Sequence, residues 1–127
     1  MKTPEESRAL TESIIGAAIE VHKALGPGLL ESAYAECLCH ELSLRNVPFQ
    51  REVDLPLNYK GLQLNCGYRI DILVADQIVI ELKSTKEVTP IHEAQLLTYL
   101  KISGKRVGLL LNFNVAALRD GITRKVL

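Results

Sequence analysis

The chain has 127 residues, 47% hydrophobic and 24% charged, which is the balance of one ordinary globular domain able to bury a core without disulfides. No apolar run approaches the roughly 20 residues of a membrane span, and no signal peptide is read at its start, so a cytoplasmic protein is expected. Formal net charge is zero, which argues against nucleic-acid binding by bulk charge alone.

Charge is nevertheless unevenly placed. Residues 1–58 carry nine acids and five bases, whereas residues 101–127 carry six bases against Asp120 alone. That basic end could meet phosphate or simply be a solvated surface. Cys37, Cys39 and Cys66 are odd in number and lack C-x-x-C spacing, which suits a reducing compartment rather than a zinc site.

Ile14, Ile15, Ala18, Val21, His22 and Leu25 follow a helical period that "GPG" at 26–28 ends. His22, at the edge of that stripe, reads as a packed, hydrogen-bonded histidine. A second helix is expected from about Leu29 to Arg45, with Leu30, Ala33, Tyr34, Cys37, Leu38 and Leu42 as its apolar stripe. The period then changes to two. Phe49, Val53, Leu55, Leu57 and Tyr59 should share one face of a strand, and "KG" at 60–61 makes a turn. Leu62 through Val74 alternates so regularly that Ile70, Ile72 and Val74 are expected on one face and Asp71 on the other.

The stretch "IDILVADQIVIELKS" then places Asp71, Glu81 and Lys83 inside apolar runs, where an unpaired charge is costly. Glu81 and Lys83 are two apart and share a face. Whether Asp71 joins them depends on the hairpin. A two-residue loop at Asp76-Gln77 sets Asp71 opposite Leu82, whereas a three-residue loop sets it opposite Glu81. If the carboxylates act together, the loop has three residues or the strand carries a bulge.

Thr89 is the expected cap of a third helix, Pro90 its first position and Gly104 its end. On that helix Ile91, Ile102, Leu96 and Leu100 flank an arc whose middle holds Gln95, Tyr99 and His92, polar groups that either bond to backbone in the core or face a site. "VGLLLNF" reads as a central, doubly covered strand. A short helix near Val115–Arg119 and a last strand near Ile122–Val126 complete the order.

Two carboxylates and a lysine on adjacent strands suit a hard divalent cation bound through oxygen, with an ammonium beside it to orient water or offset developing charge. The plainer alternative is an ion pair on a solvated sheet face. Asp71 followed by Glu81-Leu82-Lys83 resembles the PD-(D/E)XK nuclease superfamily, although Arg69-Ile70 stand where its name implies Pro. Gln95-Leu96-Leu97-Thr98-Tyr99 matches the Q-x-x-x-Y motif of its RecB-like branch, and Gly28-Leu29-Leu30-Glu31-Ser32-Ala33-Tyr34 spells the G-x-x-E-x-x-Y of the small GxxExxY proteins. "VHKALGPGLLESAY", "YRIDILV", "IELK" and "GLLLNF" extend that likeness over the chain.

The resemblance implies a single restriction-endonuclease-like domain over 1–127, α/β in class, with an α-β-β-β-α-β core and a central mixed sheet flanked by helices. It implies a Mg²⁺- or Mn²⁺-dependent nuclease whose partner is nucleic acid, DNA foremost, and not a membrane. Asp71, Glu81 and the main-chain carbonyl of Leu82 would ligate the metal, with Glu31 as a further ligand and Lys83 serving the water. Gln95, Tyr99, Tyr34 and His92 would support the site or the substrate. A second reading is a nuclease fold without turnover that binds nucleic acid or a protein. Few aromatic residues and little room for a DNA-reading element favour that second reading, whereas the presence together of Asp71, Glu81, Lys83, Gln95 and Tyr99 favours the enzyme.

Overall fold

Helix α1 (Pro4–Leu25) buries Ile14, Ala18, Val21 and His22 of its expected stripe together with Ala17, while Leu25 at its end is exposed. The computed structural model describes the backbone from Pro4 to Leu127 and the side chains from Ser7 onward. After α1 the chain turns through Gly26 and Gly28, whose φ values of 72° and 97° are left-handed and suit residues without a Cβ. Helix α2 (Glu31–Leu44) follows and packs beside α1 through Tyr34, Leu38 and Leu42.

Five strands form one mixed sheet. In chain order they are β1 (Phe49–Asp54), β4 (Arg69–Val74), β5 (Ile78–Lys83), β6 (Val107–Asn112) and β7 (Ile122–Val126), and they lie side by side in that order. Only β5 and β6 run parallel; helix α3 (Pro90–Ser103) connects them. Helices α1 and α2 cover one face of the sheet, meeting Ile72, Ile80, Leu82, Leu109 and Leu111. Helix α3 covers the other with Leu96, Tyr99 and Leu100 against Leu73, Val79 and Leu110. This is the restriction-endonuclease-like architecture expected, with β6 central and apolar on both faces.

The third helix starts and stops where its local chemistry says. Thr89 caps it, Pro90 opens it and Gly104 closes it at φ 73°. The short helix is a 3-10 turn at Leu118–Gly121, later in the chain than expected.

The long strands depart from the expectation of unbroken alternation. Residues 49–59 and 62–74 each divide in two, and their distal parts, β2 (Leu57–Tyr59) and β3 (Leu62–Leu64), pair with each other outside the main sheet. We call this projecting hairpin the arm; every residue from Gly61 to Arg69 is exposed. Nor do Phe49, Val53 and Leu55 share a face, because Phe49 packs towards α1 and α2 while Val53 and Leu55 pack towards α3. Likewise Ile70 joins Leu73 and Tyr99, apart from Ile72 and Val74. The cause is a break in pairing: β1 and β4 are in register on both sides of Glu52 and Asp71, but those two residues form no rung, and Glu52 takes a left-handed φ of 50°.

Candidate active site

The β4–β5 hairpin decides the geometry. Val74 pairs with Ile78 across a loop of Ala75, Asp76 and Gln77, the three-residue alternative. Ala75 and Asp76 both adopt positive φ, 51° and 56°, and Gln77 N–H closes the turn on Val74 O at 2.9 Å. The same register puts Asp71 level with Glu81, just past the last rung, Ile72 to Ile80. There side chains replace the ladder. Glu81 Oε1 accepts the amide of Asp71 at 3.3 Å, and Asp71 Oδ2 accepts the amide of Leu82 at 2.8 Å. One oxygen of each carboxylate is thereby anchored to the other strand.

Glu81 is 7% exposed, a carboxylate almost out of water. Burial first, and the charge of Asp71 second, push its pKa up to about 9, although Lys83 pulls the other way. At neutral pH Glu81 is therefore held as the acid, and when neutral it can donate to Asp71. Lys83, two residues on and half-buried, is level with Asn112 of β6.

Helix α3 roofs the carboxylates. Tyr99 is 9% exposed, and burial followed by the charges of Glu81 and Asp71 raises its pKa. Gln95 Nε2 donates to the Tyr99 hydroxyl at 3.3 Å, one helical turn away. His92 acts locally, since its Nδ1 accepts the Thr89 amide at 3.1 Å and so completes the capping box at the start of α3. Ile91 and Ile102, expected to flank this face, are 74% and 37% exposed.

A family model for the PD-(D/E)XK nuclease superfamily matches residues 8–125. The chain belongs to that superfamily. Comparison with curated proteins and with solved structures gave no match.

PD-(D/E)XK nucleases generally use divalent metals, and here Asp71 and Glu81 are the acids brought together. Among the described residues no three side chains of the His, Cys, Asp and Glu types converge into a ready-made metal set. Glu31 lies exposed at the first turn of α2 and does not join the pair. Its loop is nevertheless fixed beside β5. Ser84 Oγ donates to Leu29 O at 2.6 Å, and Leu29 N–H donates to the Tyr34 hydroxyl at 3.1 Å. That hydroxyl donates onward to Gly26 O at 2.6 Å, while the ring, fully buried, stacks on Phe113 at 4.4 Å. Tyr34 thus supports the loop from inside and has no surface for a substrate.

His22 behaves as expected, buried with Nε2 2.8 Å from Val115 O. Asn112, the lone polar residue of its apolar run, is a supporting residue that sequence reasoning missed. It is 2% exposed; its Nδ2 donates to Thr85 O, and its Oδ1 accepts the amides of Thr85 and Asn114. It therefore clamps the chain just beyond Lys83 in this PD-(D/E)XK core. A buried polar side chain in a strand was the available signal. The basic C-terminal end does not reach the carboxylates. Lys105 and Lys125 pair with Asp76 and Glu93, and Arg106 and Arg124 line, with Arg8, a cavity of about 530 Å³ at the opposite end of β5.

Proposed function

We propose that this protein is a Mg²⁺- or Mn²⁺-dependent nuclease of the GxxExxY kind, hydrolysing phosphodiester bonds of DNA, with residues 1–127 acting as one nuclease domain. The observation that carries this reading is the convergence of Asp71 and Glu81 from adjacent strands, each tied by one oxygen to the other strand. A buried Glu81 beside a half-buried Asp71, with Lys83 as the neighbouring cation, forms a hard oxygen donor set suited to a divalent ion. Such an ion, when bound, supplies an acidified water and offsets charge on the reacting phosphate.

The chain's own residues have separable roles in this reading. Asp71 and Glu81 hold the ion, with the Leu82 carbonyl and Glu31 as further oxygen donors, the latter directly or through water. Lys83 orients the attacking water and offsets charge that grows on the phosphate. Gln95 and Tyr99 close the site over Glu81 and keep bulk water from it. That Glu31 stands apart from the acids favours one competing reading, a nuclease fold that binds nucleic acid or a protein without cutting.

Cleavage decides between them. With Mn²⁺ or Mg²⁺ the purified protein should nick or degrade DNA, and Lys83→Ala, purified identically, should lose about 10²–10³ in rate while still binding metal. EDTA should abolish the activity as well. Equal residual cleavage by both proteins on single-stranded, duplex and branched DNA and on RNA would leave the binding-module reading standing.

A further inference from the structure

Of the chain's four tyrosines and two phenylalanines, only two rings are exposed, Tyr59 and Tyr68, at 63% and 45%. Tyr59 lies on the arm, and Tyr68 lies where the arm rejoins the sheet. From Leu55 to Ile70 the sequence has no acid, although acids abound elsewhere; its charges are Lys60 and Arg69. Lys60 Nζ sits 5.4 Å from the centre of the Tyr59 ring. Apolar Leu62 and Leu64 and polar Asn58, Gln63 and Asn65 fill the rest. The arm is therefore an aromatic surface whose one charge is Lys60, while Arg69 at its root pairs with Glu52 and Asp54 at 3.7 and 3.4 Å.

It also leads to the carboxylates. The Tyr68 ring meets the Tyr99 ring edge-on at 6.4 Å, and Tyr99 is the residue whose hydroxyl feels Glu81 and Asp71. An exposed ring thus stands one aromatic neighbour away from the acids, three residues before Asp71. Leu55 N–H donates to Tyr68 O at 2.8 Å, so the backbone carrying that ring is fixed.

We infer that the arm, with Tyr68 at its inner end, is the track for an unpaired nucleic-acid strand, whose bases stack on Tyr68 and Tyr59 while a phosphate meets Lys60. This deepens the nuclease reading and rests on it by naming the substrate class: single-stranded nucleic acid, or a duplex end with an unpaired tail. Stacking suits such a partner because every base offers a flat apolar face, whereas a paired duplex hides its faces. Lys60, the arm's lone charge, fits a polyanion and disfavours a second copy of the chain, which would set the like charges of two arm tips together.

Binding, measured without cleavage, tests this. A dye-labelled oligothymidine should bind the protein in EDTA, by fluorescence anisotropy, more tightly than a blunt duplex of the same length. Tyr68→Ala should weaken strand binding about tenfold or more, and Tyr68→Phe should restore it. Tyr59→Ala combined with Lys60→Glu, at the exposed tip, is a second variant that should weaken it without loss of fold. Binding unchanged in both variants, or a duplex held as tightly as the strand, would overturn the inference. So would sedimentation showing that Tyr68→Ala splits a dimer, because a second copy would then occupy the arm. If the arm fails while Lys83→Ala abolishes cutting, the nuclease reading stands alone; if strand binding holds without cutting, the binding module remains.

Discussion

Asp71 and Glu81 each hold the other's strand, carboxylate to amide, at the level where the ladder between β4 and β5 stops. The arrangement gathers two acids at the cost of a regular rung. Its energetic consequences are measurable before any substrate is known.

Stability should fall with rising pH. The folded protein keeps a proton on Glu81 up to about pH 9, against 4.5 for a free glutamate. A raised pKa contributes stability that is fully present below the unfolded value and is lost as pH climbs through the folded one. The slope reaches about 1.4 kcal/mol per pH unit where only the native state holds the proton. Glu81→Gln should flatten this slope and melt at or above the wild type at alkaline pH. Denaturation followed from acid to alkaline pH checks it; a large loss of stability in Glu81→Gln would instead indicate a buried ion pair with Lys83.

Metal uptake should expel a proton. Glu81 must ionise to ligate, so at neutral pH Mn²⁺ or Mg²⁺ binding should release about one proton, and affinity should rise towards pH 9. Calorimetry in two buffers of different ionisation enthalpy counts that proton. Asp71→Asn should bind metal far more weakly, and equal binding by both proteins would remove Asp71 from the ligand set.

Removing the Tyr34 hydroxyl should loosen the loop before α2. Tyr34→Phe keeps the stack on Phe113 but leaves Leu29 N–H and Gly26 O without their partner, at a cost of about 1–3 kcal/mol. Tyr34→Ala also empties the core and should cost more, about 3–5 kcal/mol. Chemical denaturation separates the two effects.

Asn112→Leu tests the clamp beyond Lys83. The volume is kept, yet Thr85 loses partners for both its N–H and its C=O, at about 1–3 kcal/mol for each buried group left unpaired. Faster amide exchange at Thr85 and Asn114, with β6 itself still protected, is the expected signature.

What the sequence made legible was local chemistry. Thr89, Pro90 and Gly104 delimit α3 because a cap, a fixed φ and a left-handed residue act within one helical turn. The D…E-x-K spacing left two hairpin registers open, and the three-residue loop that lets the two acids meet is the one the hairpin adopts. Faces of the long strands were misread because alternation assumes an unbroken pleat, and nothing in Glu52 announces its left-handed backbone. Asn112 escaped notice because its partners belong to a loop distant in sequence. Glu31 was placed on the right helix turn, but a motif's spacing does not fix how far that turn stands from the acids.

The missing rung at Asp71 also has a mechanical meaning. Asp71 lacks a ladder partner on either side, towards Glu52 and towards Glu81, while the strands below it are zipped on both edges. A ribbon bends most easily where its cross-links are absent. Just outboard of this level Val53 and Ile70 pair again and Leu55 and Ile70 stay packed under α3, so only the hairpin from Leu57 to Leu64 projects as a lever from that root. A load applied to the tip reaches Leu55 and Ile70, buried on the α3 side, and passes through Ile70 to its neighbour Asp71.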